Sequence, residues 1–361
     1  MRPIRILVDS FADEGLLNAQ MGNAREIIRR LDADLFHIST FVVGKPDPHI
    51  TARKNTRLIQ LPQRRQTVRI LSEFLLGAHQ LLFYMKSSPS SRWYLHLRKK
   101  WPDRRVTVGT VESQCNLNQL VDLAPEARRL WEQTVLRCDR LYSNSAYVQR
   151  SLQQEYGLHS EVIPTGADTR FYTPEWERPR NARPVVLFVG SLRNRKHPEL
   201  MLVAASRFPQ ADFRIVGDGP MRSDLETQIT RQGLRNVTLP GALGAEKLRE
   251  QYRAADVFFF PSTFEGSPKV IVEAASCGLP VICRDCYAAE TVIHGSTGYQ
   301  ARSEEDLYSY LKILLDSEAL RRDMGRAGRR LSQQFDWDSI AEQWASAFVQ
   351  LAGVQRLRYA S

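Results

Sequence analysis

The sequence has few of the features that mark secreted or membrane-spanning proteins. Its five cysteines, at positions 115, 138, 277, 283 and 286, are an odd set without the pattern of a disulfide framework. We therefore expect free thiols in a reducing cytoplasm. The longest apolar stretch, Ile70–Met85, contains Glu73 and His79 and is too short and too charged to span a bilayer. The first eight residues predict a β-strand rather than a signal peptide.

Metal and redox sites also find little support. Cys283 and Cys286 have a C-x-x-C spacing, but no second pair or histidine ligand accompanies them. We interpret both as small core residues, because a structural zinc needs four ligands.

The chain has the length and patterning of a two-domain α/β protein. At 361 residues it exceeds one typical core, and its 43% hydrophobic and 25% charged content is ordinary for globular protein. Short apolar segments alternate with helical ones in both halves, which predicts parallel sheets covered on two faces. A Pro/Gly turn and a polar linker (175–184) put the domain boundary after residue 174. Two of the predicted helices are Thr67–Met85 and Lys196–Arg207.

The segment 256–280 is the most informative part of the sequence. An apolar strand, Val257–Phe260, runs into a loop that holds Glu265. Ser267 is placed to cap a helix and Pro268 to occupy its first turn. Glu273 lies in that helix, eight positions after the first carboxylate. A strand, a tight loop and a helix start form a cradle for an anionic or polyhydroxylated ligand.

This segment resembles the glutamate pair of retaining glycosyltransferases with the GT-B fold, in glycosyltransferase family 4 (glycosyl transferases group 1). The family has a glutamate, seven other residues and a second glutamate inside a fixed frame. The positions that match are Pro261, Ser262, Glu265, Gly266, Glu273, Ala274, Gly278, Pro280 and Val281. The resemblance implies two Rossmann-like, doubly wound parallel-sheet domains facing a cleft. It assigns residues 1–174 to the acceptor and residues 175–334 to a nucleotide-sugar donor, with a last helix in 335–361 that crosses back to the N-terminal domain.

Two turns after predicted strands complete the expected donor site. The loop from Gly190 to Lys196 carries three cations suited to a diphosphate, and Lys196 stands at the family's lysine. Ser191 replaces the family's arginine, so Arg193 or Arg195 must substitute, and we favour Arg195. The second turn contains Gly217 and Gly219, where the family's backbone runs close to the nucleotide.

The resemblance also implies a mechanism. Lys196 and Arg195 would stabilise the leaving diphosphate, Glu265 would hold the donor sugar hydroxyls and Glu273 the ribose hydroxyls. The other donor-binding candidates around the helix start are Gly266, Ser267, Pro268, Lys269 and Val270. The family works without a metal or cofactor, and no Asp-x-Asp pair lies in a suitable loop here. Retention at the anomeric carbon comes from the resemblance alone.

The N-terminal half resembles the family less closely. Gly15 and Asn18 lie in a loop that is similar to the family's acceptor loop, and we assign both to acceptor binding. Many relatives place a histidine near the reacting carbon after the strand that begins at Val106. Glu112 is the nearest equivalent here, and we include it among the catalytic candidates.

The positive charge is concentrated between Arg53 and Arg105, where thirteen Lys and Arg face two acidic residues among several aromatics. This interval fits an anionic membrane surface and a lipid-linked acceptor, and a solvated basic face over a core of aromatics is an equally good interpretation. No nucleic-acid-binding motif accompanies the charge.

The sequence therefore predicts a cytoplasmic hexosyltransferase of envelope, exopolysaccharide or glycolipid synthesis, with a saccharide or lipid-linked acceptor. Peripheral binding at the cytoplasmic face of the membrane is one of the two interpretations of its basic interval. Two alternatives stay open at this point. One is another GT-B nucleotide-sugar enzyme, such as an epimerase, and the other is a non-catalytic sugar-nucleotide-binding subunit.

Overall fold

The computed structural model describes residues 3–15, 18–100, 103, 105–113, 115, 124–177, 179 and 181–358. The chain folds into two compact units. Unit 1 comprises Met1–Pro164 with Trp337–Ser361, and unit 2 comprises Thr165–Asp336. Across the described ranges, every helix is too short or too polar to cross a bilayer.

Unit 1 is built on a seven-stranded parallel sheet in the order β3-β2-β1-β4-β5-β6-β7. Its strands are β1 Ile4–Phe11, β2 Phe36–Val42, β3 Thr56–Gln60, β4 Leu81–Phe83, β5 Val106–Val111, β6 Arg140–Ser143 and β7 Glu161–Val162. Its first six helices are α1 Ala19–Arg30, α2 Pro48–Ala52, α3 Gln66–Leu76, α4 Pro89–Leu97, α5 Pro125–Gln133 and α6 Ala146–Tyr156.

Most residues of β1, β2, β4 and β5 are buried, as expected when helices cover both faces of a parallel sheet. The last helix of the chain, Trp337–Arg358, belongs to this unit and packs on α1. Its Asp338 Oδ1 accepts a hydrogen bond of 2.7 Å from Arg30 Nε. Trp344 and Phe348 pack against Phe83, with ring centroids 4.7 and 4.9 Å apart. The helix therefore completes the core of unit 1.

The single helix predicted over Thr67–Met85 is wrong. Helix α3 ends at Leu76, where Gly77 N donates to the Glu73 carbonyl, and β4, which begins at Leu81, pairs with β1 and β5. A buried strand as short as β4 has the same apolar content as a turn of buried helix, so periodicity cannot separate them.

Unit 2 has a six-stranded parallel sheet in the order β10-β9-β8-β11-β12-β13. Its strands are β8 Val185–Val189, β9 Asp212–Val216, β10 Val237–Gly241, β11 Val257–Phe260, β12 Val281–Arg284 and β13 Gly298–Ala301. Its helices are α7 Leu200–Arg207, α8 Arg222–Gln232, α9 Ala245–Ala254, α10 Lys269–Ser276, α11 Glu304–Asp316 and α12 Glu318–Ser332, which makes the last helix of the chain α13.

The two ends of unit 2 are joined to each other. Thr169 Oγ1 donates a hydrogen bond of 2.6 Å to Asp336 Oδ2, and both residues are buried. Residues 165–174, which the sequence assigns to the N-terminal domain, therefore lie in unit 2. Strands β9, β8 and β11 are neighbours in a parallel sheet, so the loops that follow them emerge at one edge, where ligands of such sheets bind.

Candidate active site

The loop after β8 and the turn after β9 lie side by side at this edge. Gly190 N donates to Val216 O over 3.0 Å, Leu192 N to Asp218 O over 2.9 Å, and Met221 N to Leu192 O over 3.0 Å. These backbone hydrogen bonds extend the pairing of the two strands beyond the sheet. The two predicted turns therefore form one continuous backbone surface.

Glycine is required at two positions of that surface. A Cβ atom on Gly217 would lie 1.8 Å from Gly190 O, and one on Gly219 would lie 2.5 Å from Leu192 O. Both glycines also have positive φ, at 142° and 156°, which side chains disfavour. Glycine at both positions therefore lets two segments of protein backbone pack closely, while the predicted approach to a nucleotide stays a prediction.

The centre of the site is an ion pair between two loops that are distant in sequence. Lys196 Nζ donates to Glu265 Oε1, and the two side chains are only 12% and 10% exposed. Ser262 Oγ lies 2.5 Å from the same carboxylate oxygen and 3.0 Å from Arg195 O. Lys196 Nζ also lies 4.9 Å from the centre of the Phe260 ring. Burial lowers the pKa of the Lys196 ammonium, and the Glu265 carboxylate opposes that shift.

The other predicted cations are on the surface of the same loop. Arg193 and Arg195 are both exposed, and Arg195 Nη1 donates to Phe264 O over 3.4 Å. The helix predicted to start at Lys196 is shorter than expected, because α7 begins at Leu200 after a single 3-10 turn. Arg195 and Lys196 therefore lie in this 3-10 turn rather than at the N-terminus of α7.

The start of α10 differs in detail from the prediction. Pro268, not Ser267, is the N-cap residue, and no side chain caps this helix. Ser267 is instead close enough to the carboxyl group of Glu290, in the loop after β12, to lower the pKa of that group. Burial nevertheless raises the pKa of Glu290 to about 7, and its buried Oε1 has no hydrogen-bond partner among the described residues. Sequence patterning alone missed Glu290.

Glu273 lies in a second polar network on α10. It is half-buried, and its Oε2 accepts a hydrogen bond of 3.0 Å from Tyr252 on α9. Burial raises the pKa of the Glu273 carboxyl and raises that of Tyr252 well above its usual range. The two motif glutamates thus have different partners. Glu265 forms an ion pair with Lys196, and Glu273 accepts a hydrogen bond from the Tyr252 hydroxyl.

In unit 1, Glu112 follows β5 and is held by two residues that sequence reasoning missed. The Tyr84 hydroxyl donates a hydrogen bond to Glu112 Oε1, and Asn23 Nδ2 donates one of 3.3 Å to Glu112 Oε2. Tyr84 is buried with a positive φ of 63°, which is unusual for a large side chain. Recognising β4 would have found Tyr84, because it directly follows that strand.

The two predicted acceptor residues lie before and at the start of α1. Asn18 is the N-cap of α1, where its Oδ1 accepts from Met21 N over 3.0 Å. A Cβ on Gly15 would meet no atom within 4 Å, so no steric reason requires glycine there. The same sheet edge also carries Asp9, which is buried and accepts a hydrogen bond of 2.9 Å from Lys86 N. Sequence analysis identified neither Asp9 nor Lys86.

No group of three or more His, Cys, Asp or Glu side chains within the described ranges is arranged to hold a metal ion. All five cysteines are free.

Comparison with known proteins identifies the family of the C-terminal part. Residues 174–331 match the model of the family "Glycosyl transferases group 1". This span covers the Lys196–Glu265 pair, both glycine turns and Glu273. Residues 174–331 therefore form a glycosyl transferases group 1 domain.

Curated relatives are similar over part of their length. The chain is 32% identical to the sulfoquinovosyl transferase SQD2 of Arabidopsis thaliana over 161 residues, which is 43% of this chain and 31% of that protein. It is 30% identical to the D-inositol 3-phosphate glycosyltransferase of Arthrobacter sp. over 274 residues, which is 68% of this chain and 65% of that protein. The chain thus spans less than two thirds of these relatives.

Solved structures are similar over nearly the whole chain. Sucrose-phosphate synthase from Thermosynechococcus elongatus has a TM-score of 0.80 at 22% identity, covering 98% of this chain and all of that one. HepE from Anabaena, in complex with UDP-glucose, has a TM-score of 0.74 at 18% identity, covering 96% of this chain and all of that one. These likenesses show the predicted GT-B fold, with two Rossmann-like α/β domains of seven and six parallel strands.

Proposed function

We propose that this protein transfers a hexose-type sugar from a nucleoside diphosphate sugar to a saccharide or lipid-linked acceptor, with retention of anomeric configuration. The observation that carries the proposal is the buried Lys196–Glu265 pair at a sheet edge beside two obligatory glycines. The glycosyl transferases group 1 match over the same residues supports it. We propose that this activity takes place in the cytoplasm and serves the synthesis of envelope polysaccharides, exopolysaccharides or glycolipids.

The main barrier to glycosyl transfer is separation of a cationic sugar from an anionic diphosphate. Preorganised cations and N–H groups lower this barrier most effectively where water is excluded. Lys196 is such a cation, because its side chain is 12% exposed and its ammonium group is held in place by Glu265. Arg195 and Arg193 add positive charge from the surface of the same loop, and the first turn of α10 supplies backbone N–H groups.

Glu265 and Glu273 then have separate tasks. When a diphosphate attracts Lys196, the Glu265 carboxylate becomes free to accept hydrogen bonds from the donor sugar, while Ser262 keeps it in place. Glu273 is held through Oε2 by Tyr252, which fixes the position of its carboxylate. We assign Oε1 to a ribose hydroxyl of the nucleotide.

Glu112 is the proposed group for the acceptor. Its carboxylate accepts hydrogen bonds from Tyr84 and Asn23, so its position is fixed before substrate binds. A carboxylate held in this way can accept the proton of an acceptor hydroxyl or orient that hydroxyl. Gly15 and Asn18 belong to the same proposed acceptor region, although Asn18 also caps α1.

The test is a panel of nucleotide sugars that begins with UDP-glucose, the ligand of HepE in its solved complex. Purified protein should release nucleoside diphosphate from at least one donor. Lys196→Met and Glu265→Gln should lower kcat/KM by roughly 100-fold or more, as expected when a transition-state contact is lost. Lys312→Met is the matched control, because Lys312 is exposed and paired with Asp316 on α11.

Three measurements separate this proposal from its alternatives. An axial anomeric product in NMR spectra from an axial donor supports retention, and full activity in EDTA supports metal independence. Donor binding without diphosphate release, with or without acceptors, would indicate a non-catalytic subunit. Conversion of the free nucleotide sugar into its epimer would indicate an epimerase.

A further inference from the structure

Helix α4 of unit 1 has one buried and one exposed face. Its buried residues are Ser90, Ser91, Tyr94 and Leu95. Its exposed face carries Arg92, Trp93 and His96, and the 3-10 turn that extends it adds Lys99 and Lys100. His96 is three or four residues from each of the other four, so these side chains lie along one side of the helix.

A groove of about 890 Å³ runs beside this face. Its other wall is the segment before β6, which contributes Arg137 and Asp139. Strand β6 begins at Arg140, so the groove lies near the amino-terminal ends of the strands. Glu112 follows the carboxyl end of β5, and the groove therefore lies at the opposite edge of the sheet.

The cations of the groove fall into two classes. Arg98 is structural, since it bonds to Asp139 Oδ2 over 2.8 Å and to Thr107 Oγ1 over 3.1 Å. The side chains of Arg92, Lys99 and Arg137 have no acidic or hydrogen-bonding partner in the part of the chain that the structure describes. Three positive charges therefore face solvent around one groove without compensation.

Large hydrophobic side chains are exposed on α4 and on the helix that packs against it. Trp93 is 51% exposed on α4, and its ring meets that of His96 edge-on at 6.3 Å. The neighbouring helix α3, which packs on α4, exposes Val68 by 64% and Leu76 by 85%. Trp93 lines the groove together with Arg92 and Lys99, so an apolar ring and positive charges share one surface.

The structure also corrects part of the sequence-based interpretation. The aromatic side chains of Phe74, Phe83, Tyr84 and Tyr94 are buried in the core. Trp93 is exposed, and Trp101 lies outside the described residues. The surface therefore depends on one tryptophan and two aliphatic side chains rather than on a belt of aromatics.

We propose that this basic face, defined by α3, α4 and the groove, is a docking site for an anionic lipid bilayer. Lipid phosphate groups would lie in the groove against Arg92, Lys99 and Arg137, and Trp93 would insert at headgroup level. Juxtaposed cations and apolar side chains are what interfacial binding requires. The inference is independent of the proposed donor chemistry, because all of these residues lie in unit 1.

Vesicle sedimentation tests the proposal with the full chain. Vesicles with 30% phosphatidylglycerol in phosphatidylcholine should bind the protein, pure phosphatidylcholine should not, and 0.5 M NaCl should weaken binding. The variant Arg92→Gln/Lys99→Gln/Arg137→Gln should bind about 100-fold more weakly, at roughly fivefold for each neutralised cation. The matched control is Arg231→Gln/Arg235→Gln/Lys247→Gln, which removes the same charge from exposed positions of unit 2.

A second measurement does not depend on the charge variants. Brominated lipids should quench the tryptophan fluorescence of the bound protein, and Trp93→Phe should remove most of that quenching. Equal binding to neutral and anionic vesicles would overturn the proposal, as would an equal loss in the control variant. Binding to a DNA duplex through the same three cations, without binding to anionic vesicles, would also overturn it.

Discussion

The ion pair between Lys196 and Glu265 should contribute separately to stability and to ligand binding. Both side chains are nearly buried, so Lys196→Met leaves an uncompensated carboxylate beside Ser262. Breaking a buried pair from one side typically costs about 3–5 kcal/mol, whereas replacing both partners costs much less. We expect Lys196→Met to lower the free energy of unfolding of unit 2 by about 3 kcal/mol. Lys196→Met/Glu265→Gln should lower it by only about 1 kcal/mol.

Calorimetry of the full chain measures this difference. For domains of this size, about 1 kcal/mol corresponds to a shift of roughly 2–4 °C in Tm, so the single variant should melt about 6–12 °C lower. Hydrogen exchange of the β11 amides shows whether unit 2 is the part that opens. Additive losses in the double variant would refute the view that the two groups compensate each other's charge.

Affinity for UDP should follow a different order. Lys196→Met should weaken UDP binding about 10- to 100-fold, the value of a charge-assisted hydrogen bond, and the double variant should do the same. Glu265→Gln should leave UDP binding equal or tighter, because it frees Lys196. Isothermal titration measures these constants, and UDP affinity that is unchanged in Lys196→Met would refute the assignment of this lysine to the diphosphate.

Three further predictions concern single positions. Gly217→Ala should abolish UDP binding and destabilise the protein by more than about 3 kcal/mol, because its Cβ would overlap a carbonyl oxygen. The control is Gly233→Ala, at a position with positive φ but free space. In thermal melts this variant should lose only about 1 kcal/mol of stability. The raised pKa of Glu290, about 7, means that the folded state binds more protons than the unfolded state between pH 4.5 and 7, so stability should fall as pH rises through that window. Glu290→Gln should remove this slope in melts at several pH values. Burial lowers the pKa of His79 to about 4, so stability should fall as pH drops from 6.5 to 4. His79→Gln should make stability less dependent on pH in this range.

Much of unit 2 could be predicted from its sequence. Strand β11 has the predicted bounds, because it is a short apolar segment between clear turn residues. Val257–Phe260 is completely buried, as a continuous apolar run in a parallel sheet predicts. The glycine turn after β9 was also identifiable, since positive φ next to a crossing backbone requires glycine there.

Unit 1 was less predictable for a specific reason. Strand β4 has three residues and follows an amphipathic helix without a proline or a strong turn sequence. Missing it hid the position of Tyr84, and therefore the hydrogen bond that fixes Glu112. The exposure of Val68 and Leu76 was equally hidden, because apolar residues in a helix predict burial unless the neighbouring elements are known.

The sequence by itself determined the alternation of strands and helices, the glycines at close backbone approaches and the pair of glutamates eight positions apart. These are local properties, decided by side-chain periodicity and backbone sterics. Only the tertiary structure decided which partners meet: Lys196 with Glu265 across 69 residues, Glu112 with Tyr84, and Ser267 with Glu290. Parallel sheets bring distant loops to one edge through long crossovers, and which side chains then share an edge depends on strand order rather than on local sequence.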